Sequence, residues 1–425
     1  LNEGATKQQA TVELPRTGNP WIDCGIIGLF NMVEHGKLEV PRSIAVRLQE
    51  EQDKLVMSGE SRNDIEDFLK YAFEQVKSNF YVEQTVNKVC IFNEEKDDFQ
   101  VVPKINLVDV IGFLFSGGDL KVKYRKKPLT ERLRRKLEKF KDSYSQRKNI
   151  EFKVDKSTVY ASSPRYNWPY KPRLEGEAAI CSFCRRTMPC ADIHSNNYPF
   201  AVATEHFRNF FSNLRLEPKI CSLCELASLL AVNCVFFNLS DRRRRLFLAI
   251  PDAQSLSELN TFWRDIPPQV ALKPLNQPSN ILDEGYRYRH LNESILAFSL
   301  ELYLKLKEVK EHDKMLAEIS SKAWHFYFAS KDGKTVSFEG YAHFTDLHRL
   351  FGLFSNLESP EEFKETFQNL GIQEGKQWRT EFRDKIAQRI IKNAPLNEVV
   401  ERIVWKRGYV KGLTDFVEQY NLWRG

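Results

Sequence analysis

The sequence predicts a mixed α+β chain: an N-terminal α/β domain, a four-cysteine zinc-binding insert and a C-terminal helical bundle. Three observations carry that expectation. Apolar and polar residues alternate over Tyr81–Phe92 and Phe99–Val108, the period of half-buried strands. Two Cys-x-x-Cys turns stand in mid-chain, at Cys181/Cys184 and Cys221/Cys224. From Leu291 onward apolar residues recur at the spacing of helices packed by one face. The expected divisions are 1–160 for the first domain, 161–290 for the cysteine and basic/aromatic region, and 291–425 for the bundle.

Composition bounds the function. A chain of 425 residues can bury several cores, and 42% hydrophobic with 28% charged residues is a globular balance. The net charge of +6 is too mild to declare a nucleic-acid partner by itself, so the distribution of charge decides. No run reaches the roughly 18–20 apolar residues of a membrane span, and the polar opening from Leu1 to Thr11 lacks the apolar core of a signal peptide. A cytoplasmic address without membrane contact is expected. There, structural disulfides are disfavoured, and the eight cysteines point to metal or burial.

The first element is announced by Thr17-Gly18-Asn19-Pro20-Trp21-Ile22-Asp23-Cys24-Gly25. Asn19 can cap a helix with Pro20 at its first position, where a missing N–H costs nothing, and Asp23 suits the first turn. Ile26, Ile27, Leu29, Phe30 and Met32 then supply an apolar face. A second helix is expected over Ile65–Val76. Phe115-Ser116-Gly117-Gly118-Asp119 reads as a turn, and without a following Gly-Lys-Ser/Thr it is not a phosphate loop.

Between Lys121 and Lys148 thirteen Lys and Arg face three acidic residues, an excess larger than that of the whole chain. Leu129, Leu133, Leu137 and Phe140 recur at helical spacing, which predicts a helix with a basic outer face. A charge run is often only a solvated face. One this dense is favoured as a nucleic-acid contact, because each phosphate neutralised releases counterions. Lys123, Arg125, Lys126, Lys127, Arg132 and Arg135 are the candidate residues. A second candidate is the stiff, aromatic-basic segment Ser162–Arg173. In it Arg165, Tyr166, Asn167 and Trp168 could stack on bases or reach groove edges, against the alternative of a linker packed by Trp168.

The cysteines are the sharpest signal. A two-residue spacing lets one tight turn present two thiolates, and two such turns complete a tetrahedral site, the usual home of structural zinc. The 36 residues between the pairs exceed the loop of a compact ribbon, so they must form an insert. A redox pair needs only one Cys-x-x-Cys, and plain burial would rarely duplicate the turn. Cys190 and His194 are substitutes should one of Cys181, Cys184, Cys221 and Cys224 fail. Four thiolates leave no open position, so the metal is expected to be structural. Cys24, Cys90 and Cys234 read as core residues.

After a buried stretch at Leu226–Phe237 come Arg242, Arg243, Arg244 and Arg245, which repel one another unless a polyanion or acidic partner answers them. A phosphate-binding turn is the expectation. In the C-terminal third, Ile295, Phe298, Leu302, Leu306 and Val309 keep one face apolar. Ser359-Pro360-Glu361-Glu362 starts a helix continued by Phe363, Phe367 and Leu370. Trp378, Phe382 and Ile386, then Val399, Ile403 and Trp405, mark two more, with Arg379, Arg383, Arg389, Lys392, Lys406, Arg407 and Lys411 on the outside. His312-Asp313 is expected as a solvent-facing pair. No GxSxG, HExxH or Walker motif is present, and no catalytic residue is assigned.

The opening Thr17–Gly25 resembles the Thr-Gly-Asn-Pro-aromatic-aliphatic-Asp signature of the large subunit of type I-B CRISPR Cascade complexes, the Cas-eight family. The paired Cys-x-x-Cys and the helical C-terminal third are consistent with that layout. The resemblance implies a subunit without catalysis that contacts guide CRISPR RNA, reads the protospacer-adjacent motif in target double-stranded DNA and promotes R-loop formation. It implies Cascade backbone, handle-binding and small subunits as partners, and a helicase-nuclease or transposition adaptor as the recruited effector. Gly18 and Asn19 would then face RNA or a neighbouring subunit. Two other classes compete: a zinc-ribbon nuclease or nucleotidyl transferase, and a scaffold that binds only protein.

Overall fold

The computed structural model describes residues 10–34, 46–51, 53–115, 122–144, 149–152, 154–155, 157–166, 168, 170–200, 218–241, 243–282, 288–332, 335–374 and 377–425. The fold is mixed α/β with a C-terminal helical region, as expected. The turn at 116–119, together with Lys121, Arg147, Lys148, Asn167 and Arg242, lies outside the described residues. So do the side chains of Lys123, Arg165 and Tyr166.

β1 (Ala10–Pro15) leads into α1 (Pro20–Glu34), followed by β2 (Arg47–Glu51), β3 (Lys54–Gly59) and α2 (Arg62–Lys77). β3 is central in the sheet β1-β3-β2. α2 covers the predicted helix and starts on a capping box. The Ser61 hydroxyl accepts from the Asp64 N–H at 3.2 Å, and the Asp64 carboxylate accepts from the Ser61 N–H at 2.7 Å.

β4 (Tyr81–Asn93) and β5 (Asp98–Leu107) are the two expected strands, which pair as an antiparallel hairpin, and α3 (Asp109–Leu114) follows. The basic stretch divides in two rather than forming one helix. Val122–Pro128 is a strand, β6, because Pro128 has no N–H to give a helix and holds the residue before it extended. The helix, α4, begins only at Glu131 and ends at Tyr144. After β7 (Ile150–Glu151) and β8 (Val154–Asp155), β9 (Thr158–Tyr166) completes a sheet in the order β5-β4-β9-β6. Leu133 and Leu137 of α4 close a small second core over Cys90, Phe92, Phe99 and Val159.

The cysteine region contains β10 (Ala178–Ile180), β11 (Thr187–Asp192), β12 (Lys219–Cys221) and α5 (Ser222–Leu230). Next come β13 (Phe236–Ser240), β14 (Arg245–Pro251), α6 (Leu256–Gln269), α7 (Leu291–Lys307) and α8 (His312–Ser320). The stretch expected to be wholly helical then contains two long strands, β15 (Trp324–Asp332) and β16 (Thr335–Phe344). Trp324, Phe326 and Phe328 are buried at alternate positions, a strand period inside a helix-rich region. The resulting sheet, β13-β14-β15-β16, joins residues from both sides of position 290.

α9 (Leu347–Asn356), α10 (Pro360–Asn369), the short strands β17 (Ile372–Glu374) and β18 (Gln377–Arg379), α11 (Glu381–Ile391), α12 (Asn397–Arg407) and α13 (Leu413–Arg424) end the chain. Ser359 caps α10 through the Glu362 N–H at 3.1 Å with Pro360 in the first turn, as expected. Three expectations for this region are corrected. Trp378 lies on β18, not on a helix. Trp405 is 86% exposed, pointing away from the face that Val399 and Ile403 bury. Arg383 is not an outer cation but 3% exposed, donating to the fully buried Glu293 carboxylate and stacking 4.9 Å from the Tyr288 ring centroid. Thr380 and the His290 N–H also donate to Glu293, so both of its carboxylate oxygens have protein partners.

Candidate metal centre

The four predicted cysteines converge. Cys181, Cys184, Cys221 and Cys224 are all buried, and their sulfurs lie within 4.8 Å of one another. The Sγ atoms of Cys184 and Cys221 are 3.8 Å apart. A tetrahedron with metal–sulfur bonds of ~2.3 Å has edges of about that length. The cluster can hold a metal ion and is consistent with a zinc site.

Local structure explains how each pair is held. The first turn leaves β10 and returns into β11: the Cys181 N–H donates to the Arg186 carbonyl at 2.9 Å, and the Arg185 N–H to the Cys181 carbonyl at 3.1 Å. Arg185 takes φ +62°, the left-handed conformation that lets the chain double back beneath the sulfurs. The second pair ends β12 and opens α5. Cys221 is the N-cap of α5, its sulfur accepting from the Cys224 N–H at 3.5 Å, and the Cys221 N–H points at the Cys181 sulfur at 3.5 Å. A helix N-terminus and backbone N–H groups favour thiolate over thiol.

The thiols cannot all ionise alone. Hydrogen bonds from Cys184, then Cys221 and Cys224, hold Cys181 far below the usual thiol range. The bonds that Cys221 and Cys224 make to Cys181 push those two thiols up. Cys181 and Cys184 are thus held toward the thiolate at the expense of Cys221 and Cys224, and a divalent cation is what would release the remaining protons. The substitutes are not needed. Cys190 turns its sulfur to the carbonyls of Ala179 and Met188, and neither it nor His194 joins the cluster.

The opening signature proves to be an internal lock. The Asn19 side-chain oxygen accepts from the Ile22 N–H at 3.1 Å, the predicted cap, while its amide donates to Tyr198 Oη at 2.9 Å. The buried Asp23 carboxylate accepts from the Thr17 N–H and hydroxyl, both at 2.7 Å, and from the Gly18 N–H at 3.1 Å. Burial pushes the Asp23 carboxyl up, against the pull of these bonds. The Asn19 side chain and the Gly18 N–H thus make hydrogen bonds within the protein, while Gly18 itself is exposed at the surface. Gly25 sits against α5, where a Cβ would fall 1.7 Å from the Ala227 carbonyl oxygen, so α1 is buried on all sides through Leu29.

The other candidates are scattered. Trp168 is buried among Phe73, Phe80 and Phe115, with centroids 5.3–5.8 Å away, and is not presented for stacking on bases. Arg125 and Lys127 pair with Glu94, and Arg132 pairs with Asp97. Arg134, Arg135 and Lys139 are exposed along α4, and Lys126 on β6. Of the arginine run, Arg243 and Arg244 lie between β13 and β14 and Arg245 opens β14, and acids within the chain answer two of them. Arg243 pairs with Asp109 at 2.7 Å, and Arg245 with Glu339 at 2.8 Å, while Arg244 is exposed. The requirement for a partner anion is thereby met within the chain at two of the arginines. His312 and Asp313 pair on the exposed first turn of α8.

One grouping escaped the sequence reading: Asp252, His325 and His343. It follows from the pairing of β15 with β16, which sets His325 opposite His343 through a register that shifts between Phe328 and Ala329, a detail that no local sequence signal specifies. Among the described residues, no helix is long and apolar enough to cross a membrane. No family model matches the chain, and no curated protein matches it.

Proposed function

We propose that the chain is a non-catalytic nucleic-acid-binding subunit whose four-cysteine centre holds zinc as a structural staple. Soft thiolates in a closed tetrahedral set suit zinc, and with every position taken by protein the ion has no place for substrate. The observation that carries the nucleic-acid reading is α4. Its Leu133 and Leu137 are fixed in a core, while Arg132, Arg134, Arg135, Lys139 and Lys141 project from the exposed side of a helix packed against β5. The acidic partners of Arg125, Lys127 and Arg132 form exposed pairs, worth about 0–1 kcal/mol, which a phosphate can displace.

The signature Thr17–Gly25 adds the resemblance to the Cascade large subunit. On that reading the chain contacts guide CRISPR RNA, reads a protospacer-adjacent motif in duplex DNA and helps open the R-loop beside the backbone, handle-binding and small subunits. A helicase-nuclease or transposition adaptor would be recruited afterwards. The test is affinity purification from the native operon with analysis of the accompanying RNA. A guide RNA of uniform length with stoichiometric zinc is expected. A protein that emerges alone and RNA-free would overturn the assignment.

A further inference from the structure

β14 ends at Pro251, opposite Trp324 of β15, and the next residue, Asp252, donates its N–H to the Ala323 carbonyl at 2.8 Å. His325 of β15 lies opposite His343 of β16 in the antiparallel register, so both rings rise from one face of the sheet. Their centroids are 4.9 Å apart. Three neighbouring chain segments thus bring two imidazoles and a carboxylate together, with one ligand atom of each within 4.8 Å of the others.

From this geometry we infer that Asp252, His325 and His343 form a second metal site, which takes one divalent transition ion such as Zn²⁺ on the open face of the sheet. The distances favour coordination over a plain His–Asp pair. His325 Nε2 and Asp252 Oδ2 are 3.4 Å apart, longer than the 2.7–3.2 Å of a good N–H···O bond. Metal–ligand bonds of ~2.0–2.2 Å in a tetrahedron place adjacent ligand atoms about 3.4 Å apart. The second oxygen, Oδ1, takes the Ala253 N–H at 2.9 Å, which orients the carboxylate and leaves Oδ2 toward the rings. On its far side, His325 Nδ1 lies 2.8 Å from Tyr341 Oη. An outer hydrogen bond of this kind fixes a metal-binding imidazole with Nε2 toward the ion.

Arg16 is the nearest competing cation, but its Nη2 reaches Asp252 only through Oδ1, at 3.7 Å, and is bonded to the Ala253 carbonyl at 2.5 Å. His343 is exposed, so the ion would keep open positions for water. Two imidazoles and a carboxylate suit zinc, cobalt and iron(II). This donor set differs from the four thiolates and does not depend on the nucleic-acid reading.

The test uses the full chain with its four-cysteine centre already filled. Calorimetric titration with Zn²⁺ should register one further ion per chain. His343→Gln and Asp252→Asn should each weaken that uptake by at least about tenfold, and Tyr341→Phe by roughly tenfold through the missing outer bond. With Co²⁺ as probe, the added ion should show no sulfur-to-metal charge-transfer band. His312→Gln, which alters an exposed His–Asp pair elsewhere, should titrate as wild type. No uptake beyond the cysteine centre would overturn the site, as would His343→Gln and Asp252→Asn proteins that bind like wild type.

Discussion

Gly25 of α1 and Ala227 of α5 meet backbone to backbone, so closely that a Cβ on Gly25 would lie 1.7 Å from the Ala227 carbonyl oxygen. α5 is also the helix whose first turn carries Cys221 and Cys224. The N-terminal signature and the metal centre are therefore one packed unit, although about two hundred residues separate them in sequence.

Gly25→Ala must push the two helices apart. Overpacking of a tight core costs about 3 kcal/mol at its upper range. Urea denaturation should show that loss, and the variant should also release its bound metal more readily, because α5 moves with its cysteines. A variant as stable as the parent would mean that the helices do not touch here.

Cys184→Ser should abolish tight metal binding at the four-cysteine centre and loosen β10–β12. Metal analysis of the purified protein reads the first effect, and limited proteolysis between 185 and 220 reads the second. In Co²⁺-substituted wild type, intense sulfur-to-metal charge transfer is expected, and its absence would count against tetrathiolate ligation.

Trp168→Ala separates a packing role from a base-reading one. The indole fills a buried space among Phe73, Phe80 and Phe115, so removing it should cost about 3–5 kcal/mol. Arg134→Ala with Lys139→Ala should leave stability unchanged but lower the salt slope of nucleic-acid binding by roughly 0.7–0.9 for each phosphate no longer neutralised. Binding titrations over a salt series distinguish the two. An unchanged slope would remove α4 from the interface.

Cys90 provides a pH-dependent signature of the small core beneath α4. Burial pushes its thiol from the ordinary 9.0 up to about 12. Between those values the unfolded chain has released the proton that the folded chain keeps, so folded stability declines as pH rises, by up to about 1.4 kcal/mol per unit. Below pH 9 the group contributes no slope. Comparing the alkaline limb of wild type with that of Cys90→Ala isolates the contribution, which should vanish in the variant.

What the sequence by itself determined were features coded over a few residues. Asn19 capping a helix that opens at Pro20, the strands Tyr81–Asn93 and Asp98–Leu107, the Ser359 cap and the duplicated Cys-x-x-Cys all rest on local geometry, which neighbouring residue types specify. Tertiary structure decided whatever depends on partners distant in the chain. It made Trp168 a core residue, turned Arg383 inward to Glu293 and answered Arg243 and Arg245 with Asp109 and Glu339. It also set His325 beside His343 and Asp252, a grouping that arises from strand register. Burial and charge pairing are properties of the assembled fold, since a side chain's free energy depends on what surrounds it and not on its sequence neighbours alone.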